Sequence, residues 1–127
     1  MPEIRPESIA SPAANYAHAI VTESAARWLH TSGVVPVDPE GGTPARIAEQ
    51  AQVVWANILT MLDEAGMHSS DVVSVTTYVV VGEDLAPVMA ARDQVLGTHR
   101  AASTLVTVPV LARPEWLMEI AVIAAAH

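Results

Sequence analysis

The sequence predicts an α+β fold in which one sheet carries two helices on one face. Two stretches repeat apolar residues at intervals of three and four, and each ends at a glycine, Gly66 or Gly97. The segments around them are rich in Val, Thr, Ile and Tyr, which suit a pleated ladder better than a helix. The 127 residues, 51% hydrophobic and 16% charged, fit one core and leave little room for two, so residues 1–127 are read as a single domain.

Tyr16 to Thr22 alternates loosely, and Arg27 to Gly33 follows a short turn at Glu23 to Ala26, which predicts a β-hairpin. Two prolines, two glycines and two acids between Val34 and Gly42 are loop chemistry. Thr43-Pro44 offers a capping hydroxyl and a proline for the first turn. Ile47, Ala51, Val54, Ile58, Met61 and Ala65 then define one face, predicting a helix that runs to Gly66 and covers a sheet. Val72 to Val81 reads as a central strand. Asp84 to Leu96, with Leu85, Val88, Met89, Arg92, Val95 and Leu96 at helical spacing, is the second helix. Ser103 to Val110 and Trp116 to Ala124, joined through Leu111 to Glu115, complete the order ββαβαββ. The sheet face away from the helices then needs cover from water or from another subunit.

Composition removes whole classes of function. Without cysteine there is no disulfide framework, thiolate nucleophile, iron–sulfur cluster or cysteine-ligated zinc. All six basic residues are arginine, so Schiff-base and pyridoxal-lysine chemistry drop out too. The histidines at 18, 30, 68, 99 and 127 show no helical i, i+3 or i, i+4 pairing, so no metal site is expected. No glycine-rich phosphate motif or Gly-x-Ser-x-Gly elbow occurs, and no cofactor is expected. A net charge of −8 disfavours a nucleic-acid partner. Uncharged runs such as Val72 to Gly82 and Ala101 to Ala112 are shorter than the roughly 20 residues of a bilayer span. The first residues lack the basic-then-apolar pattern of a secretory signal, so a cytoplasmic protein without membrane contact is expected. The apolar surplus of so small a chain favours burial by self-association.

Among candidate functional residues Glu119 stands out, because Trp116 to Ala124 is otherwise apolar. With alternating faces Glu119 shares a side with Leu117, Ala121 and Ile123. A carboxylate there is paired, protonated or open to a cavity. It is therefore either a general acid or base or half of an ion pair with Arg92 or Arg113. Arg92 interrupts the apolar stripe of the second helix, where most such arginines extend to solvent or pair structurally. Arg100, past the helix stop, either holds a carboxylate in its fork or is a solvated loop residue. Tyr16 opens the first strand and Thr31-Ser32-Gly33 closes the second, where a glycine lets backbone N–H groups approach a ligand. The three tryptophans are read as core or subunit contacts.

Ala14-Asn15-Tyr16-Ala17-His18-Ala19, Thr31-Ser32-Gly33 with Val35-Pro36-Val37-Asp38-Pro39, the helix Gln50 to Gly66, Val72 to Tyr78, Ala102-Ser103-Thr104 and Leu117-Met118-Glu119-Ile120 follow one order and spacing. Together they make the chain, from Ala13 to Ala124, resemble the Rid (YjgF/YER057c/UK114) family. The resemblance implies a chorismate-mutase-like fold and a homotrimer whose sheets form an internal barrel, with small-molecule pockets between subunits. It also implies hydrolysis of imines and enamines to 2-oxo acids and ammonia. In that chemistry an arginine just before the Ser-Thr of the fourth strand grips the substrate carboxylate, and a glutamate with a backbone carbonyl near the Ser-Gly turn positions water. Carried over, Tyr16, Ser32, Gly33 and Ser103 are pocket residues and Glu119 is the catalytic acid or base. The arginine is absent, its slot being Ala102, and Met89 replaces an asparagine of the second helix. Residues 100 and 102 share a strand face about 6.5–7 Å apart, so Arg100 is expected to reach the same cleft.

The expected function is thus a trimeric Rid-like protein that acts on a small imine, enamine or related carbonyl compound by acid/base-assisted hydrolysis. A non-catalytic small-molecule-binding or chaperone-like protein is the alternative. An endoribonuclease or translation inhibitor is a third reading, against which the charge counts.

Overall fold

The computed structural model describes residues 2–127. In chain order its elements are β1 (Glu3–Ile4), β2 (Ala19–Ile20), β3 (Arg27–His30), α1 (Ile47–Glu64), β4 (Val72–Val80), α2 (Ala86–Leu96), β5 (Ala102–Val108) and β6 (Met118–Ala126). Four of the strands form a mixed sheet in the order β3-β6-β4-β5. β6 runs antiparallel to both β3 and β4, while β4 and β5 are parallel and use α2 as their crossover. The expected central strand is central.

The expected hairpin does not form. Ala19–Ile20 pairs with Glu3–Ile4 in a separate two-stranded sheet, whereas Arg27–His30 pairs with the last strand, Arg27 facing Ala126 and His30 facing Ile123. Between them Ser24 adopts a left-handed φ of 53° as the chain leaves one sheet for the other. β3 gains more from packing Leu29 into the main core beside Ala124 than from a local partner of two residues. The first helix is also shorter than expected. It starts at Ile47 behind Arg46, and the Thr43-Pro44 pair lies outside it. β6 is displaced by two residues from the expected Trp116 to Ala124.

The core lies between the helices and one sheet face. Val54, Ile58 and Leu62 of α1 meet Val72, Val75 and Val79 of β4 and Met118, Ile120, Val122 and Ala124 of β6, all at most 1% exposed. Val72 and Val75 are three apart yet both face the helices, because the β4–β6 register slips by one residue between Val72 and Ser74. Gln50, fully buried in α1, fastens the far end of the sheet: its Nε2 donates to the carbonyls of Pro44 (2.8 Å) and Glu115 (2.9 Å), and its Oε1 accepts from the Leu117 N–H (2.9 Å). The opposite sheet face carries Ser74, Thr76 and Tyr78, Thr104 and Val106, and Glu119, Ala121 and Ile123, with no helix over it. Among the described residues no helix is long and apolar enough to cross a membrane.

Candidate functional site

Alternation along β6 sends Met118 and Ile120 into the core and leaves Glu119 on the bare face, opposite Tyr78 of β4. There its carboxylate lies against the backbone of Gly33. A Cβ on that glycine would sit 1.7 Å from Glu119 Oε2 and 2.9 Å from its Cδ, so any larger residue at 33 would have to displace the carboxylate. The loop holding Gly33 is sewn to β6 on both sides. Val34 and Ile120 exchange backbone bonds of 2.7 and 3.1 Å. The Thr31 N–H donates to the Val122 carbonyl at 3.0 Å, and its Oγ1 accepts from the Val122 N–H at 2.9 Å. Gly33 itself takes part in none of these bonds, which leaves its N–H and carbonyl without a hydrogen-bond partner among the described residues.

Gly33, Tyr78, Leu111, Glu119 and Ala121 line a cavity of about 240 Å³. Among the described residues no cation pairs with Glu119. Arg92 contacts Asp93 at 3.0 Å and Arg113 lies over the Trp116 ring at 5.7 Å, so within this chain neither arginine pairs with Glu119, and the carboxylate opens onto a cavity. Ser32, exposed at the loop tip, and Gly33 also line a larger apolar cavity of about 430 Å³ that reaches Val37, Asn57 and Met61.

Tyr16 and Ser103 lie elsewhere. The β4–β5 register puts Ser103 and Leu105 on the helix side, beside Val75 and Thr77. There they line a cavity of about 250 Å³ with Tyr16, Met89 and Arg92. Ala102 faces the other way, next to Ser74, and Ala17 bridges to it along the outer edge of β5. Arg100 forms an ion pair with Glu3 at 3.3 Å and donates to the Tyr16 carbonyl, tying the N-terminal segment to the start of β5; it lines neither cavity. One chain therefore brings together Glu119, Gly33 and Ser32 in one region and Tyr16 and Ser103 in another, and sets Arg100 and Ala102 outside both. The sequence reading left out Tyr78 beside Glu119 and, although it singled out Arg92, did not place it beside Ser103. The signal for Arg92 was its place in an apolar helical stripe; for Tyr78 it was the alternation of β4.

A family model described as endoribonuclease L-PSP matches residues 7–126. A RutC family protein of Pyrococcus abyssi is 32% identical over 104 residues, 80% of each chain. The 2-iminobutanoate/2-iminopropanoate deaminase of Escherichia coli K12 is 35% identical over 72 residues, 56% of each chain. The crystal structure of YyfB from Yersinia pestis, a protein of unknown function in the conserved Rid family, matches with a TM-score of 0.85 and 33% identity, covering 98% of this chain and 97% of its own. The α+β, chorismate-mutase-like arrangement is shared.

Proposed function

The chain belongs to the endoribonuclease L-PSP family, the Rid proteins, and from that premise we propose that it hydrolyses a small imine or enamine in a cleft completed by another copy of itself. The observation that carries this reading is the Glu119 carboxylate, packed on Gly33, without a cation among the described residues and open to a cavity. In the proposed reaction Glu119 takes a proton from water as the water oxygen adds to the C=N carbon, and passes that proton to the nitrogen. Glu119 then carries the hydroxyl proton of the resulting carbinolamine to its amino nitrogen, the C–N bond breaks, and ammonia and a carbonyl product leave. The free Gly33 carbonyl is suited to orient the water. The activity named for the E. coli relative, on 2-iminobutanoate and 2-iminopropanoate, supports this substrate class.

Assembly, as the expected homotrimer, is supported by the bare sheet face, where Trp28 is 50% and Val106 39% exposed. Tyr16 and Ser103 lie apart from Glu119 within one chain, so a neighbouring copy is needed to bring both sets to one ligand. The test is ammonia release from freshly generated 2-imino acids by the native protein and Glu119→Gln. The expected result is native turnover reduced at least about 100-fold in the variant, with an unchanged circular dichroism spectrum. Undiminished turnover in Glu119→Gln removes its role. A native protein that binds such ligands without turnover is the non-catalytic binder instead.

A further inference from the structure

We propose that the cavity between α2 and β5 is a carboxylate-binding site in which the Arg92 guanidinium holds the anion. Only the assignment of that anion to the same ligand as Glu119 rests on the reading above.

Arg92 sits among Val88, Ala91 and Leu96 on the buried side of α2 and is itself 6% exposed. A cation so placed has lost most of its hydration and needs acceptors for the five N–H groups of its fork. They are only partly supplied. Nε donates to Asp93 Oδ1 at 3.1 Å, and NH1 reaches Ser103 Oγ at a long 3.4 Å. NH2 lies 3.0 Å from the same Asp93 oxygen but off hydrogen-bond geometry, and remains a buried nitrogen without a hydrogen-bond partner. Asp93, with its side chain 40% exposed, balances the charge from the solvent side. Among the described residues, Arg92 also lines a cavity that no acid lines.

The walls of that cavity define the ligand. Its polar groups are Arg92, Tyr16 and Ser103, and the rest of its lining is Ala14, Leu85, Met89 and Leu105. A planar anion with two oxygens matches the under-used fork, and the aliphatic walls suit a short apolar tail. About 250 Å³ lies below the roughly 300–1,000 Å³ that drug-sized ligands occupy, which points to a short-chain carboxylate. Arg100, the other arginine near β5, is engaged by Glu3 and the Tyr16 carbonyl.

The test titrates butanoate into ¹⁵N-labelled protein, following the Arg92 Nε–Hε signal and the β5 amides, with butanamide as the neutral control. Native protein and Glu119→Gln are run in parallel, so binding is read independently of turnover. Butanoate is expected to shift the Arg92 signal in both, and butanamide in neither. Arg92→Gln should weaken butanoate binding at least about tenfold. Ala14→Leu, which fills the cavity and leaves the arginine in place, should weaken it comparably and decides the matter if Arg92→Gln does not fold. No butanoate binding by native protein, equal response to butanamide, or unchanged affinity in the folded variants overturns the site. Loss of turnover in Glu119→Gln with butanoate still bound leaves both conclusions standing; unimpaired turnover there sinks only the role of Glu119.

Discussion

The two faces of the central sheet are made by the same strands and obey different rules. Along β6, Met118, Ile120, Val122 and Ala124 are at most 1% exposed beneath the helices, while Glu119, Ala121 and Ile123 between them stay half-buried on the bare side. β4 repeats the contrast, with Val75 and Val79 inward and Ser74, Thr76 and Tyr78 outward. The covered face is mostly apolar because burial rewards apolar shape and penalises unpartnered polar groups. The bare face is mixed because hydroxyls, small residues and a carboxylate are tolerable where water, a ligand or another copy reaches them. Substitutions on the covered face should therefore cost folding stability, and those on the bare face should cost activity or association.

The sharpest probe of the covered face is Ile58→Ala, which removes a fully buried side chain of α1 and is expected to cost about 2–5 kcal/mol in urea unfolding. A loss under about 1 kcal/mol would break the contrast. On the other face, Gly33→Ala drives a methyl into the Glu119 carboxylate. Turnover should fall about 100-fold, equivalent to about 2.7 kcal/mol of barrier, while the urea midpoint moves far less than in Ile58→Ala. Gln50→Leu tests a polar exception in the core beneath that face: stranding the Pro44 and Glu115 carbonyls and the Leu117 N–H should cost about 1–3 kcal/mol, read from the same unfolding curves. The smallest effect on folding is expected from Val106→Asp, on the bare face and 39% exposed. It should change chain stability by within about 0.5 kcal/mol yet lower the mass seen by light scattering; an unchanged mass would separate this patch from self-association.

Most of the fold is legible in the sequence. Ile47, Ala51, Val54 and Ile58 keep helical spacing, and Val72 to Val80 keeps strand chemistry, so the type of each long element followed from residues close in sequence. The hairpin failed for the converse reason: the pairing of β3 with β6 joins opposite ends of the chain, and nothing local in Arg27 to His30 encodes Ile123 to Ala126 as its partner. Glu119 was visible as a charge in an apolar strand. Its contact with Gly33, and the separation of Tyr16 and Ser103 from it, were not, because both depend on which strands adjoin.

The sequence was enough for the fold class, the two helices and most of their buried stripes, the exposed Met61 of α1 excepted, for the exclusion of thiol and lysine chemistry, and for the one carboxylate out of place on a strand. These are consequences of composition and of the 3.6- and 2-residue periods, which any short window carries. Tertiary packing decided that Glu119 meets a backbone glycine and, among the described residues, no cation, that Arg100 is tied to Glu3, and that Arg92 lines a cavity beside Ser103. Those outcomes turn on strand order, a one-residue bulge and the direction of individual side chains. Such features arise only when segments distant in the chain pack together, where a register shift of a single residue moves a side chain to the other face of the sheet.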